Sequence, residues 1–64
     1  MKWTDIQRIA ETLSDTYPDT DPKTIRFTDL RHLILKIPEF NDNPDHCGER
    51  ILEAVQQAWI DEMN

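Results

Sequence analysis

Ile6, Ile9, Ala10, Leu13 and Tyr17 recur at i, i+3, i+4, i+7 and i+11, and Pro18 follows at once. At about 100° per residue these five side chains fall on one stripe, so the spacing predicts an amphipathic helix. Pro18 disfavours helical geometry at Tyr17 and ends it. The same pattern returns twice. Leu30, Leu33, Ile34 and Ile37 form a second stripe, closed by Pro38. Ile51, Leu52, Val55, Ala58, Trp59 and Met63 form a third, starting near Asp45 or Gly48, with Glu49 and Glu53 outside it. Three stripes in 64 residues leave room for one mainly α domain of three principal helices, spanning residues 1–64.

Local signals mark where these helices begin. Thr4 with Gln7 three residues on has the form of a capping box. Thr28 is the expected cap of the second helix, with Asp29 well placed in its first turn. Pro44 suits a first helical position after Asn43, although Gly48 would then weaken the turn that follows. Between the first two helices, Asp21-Pro22 can cap and begin a single helical turn. Ile25-Arg26-Phe27 alternates as a short extended segment would. Trp3 and Trp59 are expected in or beside the core, not as an interaction platform.

A chain this short buries only about 60% of its unfolded surface and is marginally stable. A single cysteine, Cys47, allows no internal disulfide, which suits a reducing compartment. The longest apolar run is Leu33-Ile34-Leu35, far from the roughly 20 residues of a membrane span. The segment Met1 to Asp5 lacks a signal-peptide core. The expectation is a soluble, cytoplasmic monomer.

The formal net charge is −6, unevenly spread. Residues 1–22 set Lys2 and Arg8 against Asp5, Glu11, Asp15, Asp19 and Asp21. Residues 23–37 reverse the balance, with Lys23, Arg26, Arg31 and Lys36 against Asp29. Residues 38–64 hold Arg50 against seven acidic residues. Such a surface repels nucleic acid and anionic lipid, and suits a basic protein or a hard cation. Acidity can also serve solubility alone. Glu11 and Asp15, one turn apart, repel each other slightly, and a cation or an arginine cluster would relieve that repulsion. No EF-hand or HExxH spacing is present. His46 and Cys47 are adjacent and chelate poorly together, and there is no Gly-rich phosphate loop and no nucleophile beside a base. A domain of this size hardly encloses a substrate pocket, so the expectation is no enzyme. A second reading, from another class, is a winged-helix-like nucleic-acid binder using Arg26, Arg31 and Lys36.

Trp3-Thr4-Asp5, Tyr17-Pro18-Asp19, Asp21-Pro22-Lys23-Thr24, Arg26-Phe27-Thr28-Asp29 and Ile51-Leu52-Glu53-Ala54 with Trp59 together resemble the IscX (YfhJ) family. The resemblance covers nearly the whole chain. It implies a small, modified winged-helix domain, mostly helical, acting as an accessory protein of bacterial iron–sulfur cluster assembly. By the same resemblance, the chain is an adaptor that binds the cysteine desulfurase IscS where frataxin also docks. The resemblance also implies weak Fe2+ binding through surface carboxylates. The residues that match acidic family positions are Asp5, Glu11, Asp15, Asp19 and Asp21, for both iron and desulfurase. Arg26 and Asp29 belong to the RFTD motif and join the partner-binding set, while Phe27 and Thr28 are read as anchor and cap. Arg8 departs from the family pattern, where an acidic residue is expected. Asn41-Asp42-Asn43 is less acidic than the family's usual run, and His46-Cys47-Gly48 matches no family motif.

Overall fold

The computed structural model describes residues 1–63. Its elements are α1 (Ile6–Thr16), α2 (Phe27–Leu35), a 3-10 turn (Pro44–His46) and α3 (Glu49–Glu62). No strand is present among the described residues, so the architecture is mainly α with three principal helices. No β-hairpin wing accompanies the three helices among the described residues.

The core is one cluster built from all three stripes. Ile9, Ala10 and Leu13 of α1, Leu30 and Ile34 of α2, and Leu52, Val55 and Trp59 of α3 are buried, joined by Trp3 and Ile37 from outside the helices. The α1 and α3 helices share the largest contact, and α2 lies against both. Deleting one large aliphatic side chain from such a core costs about 2–5 kcal/mol, comparable with the whole stability of a domain this small. Met63, expected on the inner face of α3, is instead 41% exposed at its end.

Two expected caps are not caps, and each has a local reason. The N-cap position of α1 is Asp5, not Thr4. Lys2 to Asp5 form a tight turn in which the Asp5 N–H donates to the Lys2 carbonyl (2.9 Å). The Asp5 carboxylate turns back to accept the Lys2 N–H (2.8 Å), so it does not bond the first turn of α1. Gln7 does not close a capping box. Its amide donates to Glu62 on α3 (2.8 Å) and, more weakly, to Glu11 (3.4 Å). The helix α2 begins two residues earlier than a Thr28 cap requires: Phe27 is already helical and Arg26, extended, is the N-cap residue. Phe27 packs on the core cluster, and that burial sets the start. Asp29 does sit in the first turn of α2. The Ile25-Arg26-Phe27 segment is therefore not a continuous extended stretch.

The remaining connections follow the sequence more closely. Asn43 accepts the Asp45 N–H (2.9 Å) with Pro44 at the first position of the 3-10 turn. Gly48 is the N-cap residue of α3 and not part of its first turn. Pro22 begins a turn and not a helix: the Thr24 N–H reaches the Asp21 carbonyl (3.3 Å), and Asp21 Oδ1 accepts the Lys23 N–H (2.9 Å). That turn is pinned to α3 by the Gln56 amide, which donates to the Pro22 carbonyl (2.8 Å).

A second set of long-range bonds clasps the N-terminal residues to the segment after α2. The Asp42 carboxylate accepts the N–H of Trp3 (3.1 Å) and of Asn43 (2.7 Å). Trp3 Nε1 donates to the Asn43 carbonyl (2.7 Å), and Lys2 Nζ to the Asn41 carbonyl (2.8 Å). The Asn41 N–H donates to the Met1 carbonyl (3.0 Å). The Trp3 ring meets Phe40 edge to face, with centroids 4.6 Å apart. Such a pair adds roughly 0.5–1.5 kcal/mol beyond burial.

Candidate partner-binding surface

Burial of Ile9, Ala10 and Leu13 fixes the rotation of α1. Glu11 and Asp15 are thereby turned to the opposite, exposed side. Asp5 is exposed at the start of this helix, and Asp19 and Asp21 are exposed in the turn that follows it. The five acidic residues thus form an outward band running from the entry of α1 into the turn held by Gln56. Arg8 is exposed on the same outer side of α1 and interrupts the negative field. Glu62 extends the band across to α3 through Gln7, whose neutral amide sits between two carboxylates without cancelling their charge.

The five are not equivalent. Asp5 has one oxygen engaged by the Lys2 N–H, and Asp21 has one engaged by the Lys23 N–H. Glu11 touches only an amide. Among the described residues no three or more His, Cys, Asp or Glu side chains gather closely enough to hold a metal ion. A cation on this band would meet scattered carboxylates and complete its shell with water.

Arg26 and Asp29 stand exposed at the start of α2. The cations of the nucleic-acid reading are not a free set. Arg31 is half-buried and donates from Nη2 to the Pro44 carbonyl (3.1 Å), which ties α2 to the 3-10 turn. Cys47 is half-buried, and burial pushes its thiol up against the opposing pull of Arg31. It is a poor thiolate source.

Asp42 is the acidic residue whose part the sequence left unread. Its two backbone N–H bonds, to Trp3 first and Asn43 second, hold its carboxyl below the ordinary aspartate range. A short Asp-Asn-Pro run is a turn signal, but nothing local to it says that the carboxylate reaches Trp3.

The groove beside the band is the other feature the sequence did not announce. It has a volume of about 300 Å³ and lies between the 18–23 turn and the last turn of α3. No helix of the described residues is long and apolar enough to cross a membrane.

A family model described as "Iron-sulphur cluster assembly" matches residues 1–64. The uncharacterised protein PA3808 of Pseudomonas aeruginosa is 47% identical over 62 residues, covering 97% of this chain and 94% of that one. With the family model spanning its full length, the chain belongs to the iron–sulphur cluster assembly family, the IscX family.

Proposed function

We propose that this chain is an adaptor of iron–sulfur cluster assembly that docks on the cysteine desulfurase through the acidic band of α1 and the 17–24 turn. The observation that carries the reading is that band: five exposed carboxylates along the entry of α1, its outer side and the turn that follows it, in a member of an assembly family. Complementary charge speeds the encounter with a basic surface and makes affinity depend on salt. In the reading, frataxin competes for the same desulfurase surface, and the protein acts in the cytoplasm without catalysing a reaction itself.

Weak Fe2+ binding is the second part of the proposal. The same carboxylates attract a hard divalent ion as a diffuse field, with water supplying most of its ligands. Iron and desulfurase would then share one surface, and each would weaken the other's grip.

The test is charge reversal. Glu11→Lys with Asp15→Lys leaves the buried face of α1 untouched. Its affinity for purified cysteine desulfurase, measured by calorimetry, should fall at least about tenfold. An unchanged affinity in the folded variant removes this face from the interface. Anaerobic Fe2+ titration of the same variant should show weaker iron binding than the parent.

A further inference from the structure

Two glutamines stand side by side in α3, and the fold uses them differently. The Gln57 amide donates to Asp61 Oδ1 (3.2 Å), one turn along the same helix and in solvent. The Gln56 amide leaves the helix and donates to the Pro22 carbonyl (2.8 Å), 34 residues away in sequence. Helical spacing explains the split. Leu52, Val55 and Trp59 face the core. Gln56 lies about 40° round from Leu52, on the shoulder of that stripe, and is half-buried. Gln57 lies a further 100° or about that round and is exposed.

The turn that Gln56 reaches has little else to place it. Its other hydrogen bonds are local. The Thr20 N–H donates to the Tyr17 carbonyl (3.2 Å), and the Lys23 N–H to Asp21 Oδ1 (2.9 Å). The Thr24 N–H and hydroxyl both donate to the Asp21 carbonyl (3.3 and 3.4 Å). These bonds shape the turn without fixing where it lies on the domain. Among the described residues, the bond from Gln56 is the one hydrogen bond between residues 18–24 and α2 or α3. Its acceptor is well chosen. Pro22 is buried, while Asp21 and Lys23 on either side of it are exposed. Proline has no N–H, so its carbonyl is the backbone group by which this buried residue can be tied. The ring also locks φ, so holding the carbonyl constrains Asp21 just before it.

We propose that Gln56 is a positioning residue: its amide fixes the 17–24 turn against α3, and that fixed placement sets how long a complex made through the turn lasts, not how fast it forms. The partner is taken from the adaptor reading above, whereas the placement of the turn does not depend on it. A neutral amide adds nothing to the field that attracts a charged surface, so its loss leaves the encounter rate alone. A turn cut loose must be reordered in the complex, and that cost appears in dissociation.

Four variants of the full chain test it. Gln56→Met keeps the length of the side chain and removes the donor. Gln56→Lys restores a donor of similar reach. Gln57→Met and Gln57→Lys repeat the same changes where only the local bond to Asp61 is at stake. By NMR, Gln56→Met should shift the amides of Asp19 to Thr24 and speed hydrogen exchange at Lys23 and Thr24 about fivefold. Gln56→Lys should recover part of this, and Gln57→Met should leave the turn as in the parent. An unmoved turn in Gln56→Met overturns the proposal. Rates with purified cysteine desulfurase give the second readout. Gln56→Met should dissociate about fivefold faster and associate within about twofold of the parent. Gln57→Met should change neither rate by more than about twofold. Gln56→Lys should dissociate more slowly than Gln56→Met, by more than Gln57→Lys differs from Gln57→Met. A purely structural role would lower the folded fraction, cutting apparent association and leaving dissociation untouched, and that pattern also overturns the proposal. If the turn loosens and dissociation stays at the parent rate, the proposal falls while the adaptor reading stands. If the parent chain does not bind the desulfurase, the adaptor reading falls and the residence-time claim with it, and the NMR data alone decide whether Gln56 places the turn.

Discussion

The two ends of this domain use acidic residues in opposite ways. At the clasp, Asp42 holds the N–H groups of Trp3 and Asn43, and its charge is absorbed by the fold. At the 17–24 turn, Asp19 faces outward beside a groove, and Asp21 gives one oxygen to its own turn and leaves the other free. The tryptophans repeat the contrast. Trp3 Nε1 has the Asn43 carbonyl at 2.7 Å, whereas Trp59 Nε1 is buried with no partner among the described residues. In the clasp, polar groups are bonded within the fold and serve stability. Near the end of α3 the carboxylates face solvent, and Trp59 contributes by packing alone.

Variants can break or sharpen the contrast, from the largest effect down. Trp3→Ala removes a buried ring, its hydrogen bond and its contact with Phe40. It should cost about 3–5 kcal/mol and leave the chain largely unfolded in a urea titration. Trp3→Phe should be more damaging than Trp59→Phe by about 1 kcal/mol. The first loses a hydrogen bond to the carbonyl of exposed Asn43, and the second removes a donor that is already unpaired. Equal costs would mean that the two indole N–H groups are equivalent and the contrast false.

Asp42→Asn should lower the urea midpoint, and it should also change the pH response. The folded carboxyl of Asp42 lies below its unfolded value. Its contribution is therefore present above the unfolded pKa, near 3.9, and is lost as pH falls below that through the folded pKa. The parent should lose stability over that window, and Asp42→Asn should lose less. Smallest of all, Glu11→Gln with Asp15→Asn should shift stability by no more than about 0.5 kcal/mol, because both side chains are exposed. A large loss there would make the band structural.

The helices were legible in the sequence because each stripe is local. Ile9, Leu13, Leu30, Ile34, Leu52, Val55 and Trp59 are buried as their spacing requires. The starts of α1 and α2 were not, because tertiary bonds outrank local propensity there. Asp5 is drawn back to Lys2, and Phe27 is recruited to the core. Met63 misled for a related reason: the period continues to the end of α3, but the core does not reach that far. The acidic band was readable residue by residue, since the stripe that points inward also fixes what points outward. The groove was not, because Asp19 and Asp21 meet Ile60 and Met63 across about 40 residues of chain. The Asp42 to Trp3 bond escaped for the same reason, spanning 39 positions.

The most direct test of the central claim is calorimetric titration of this chain into purified cysteine desulfurase at low and at moderate salt. The account predicts saturable binding at low salt that weakens markedly as ionic strength screens the acidic band. Absence of binding at low salt, or an affinity that salt leaves unchanged, would contradict it.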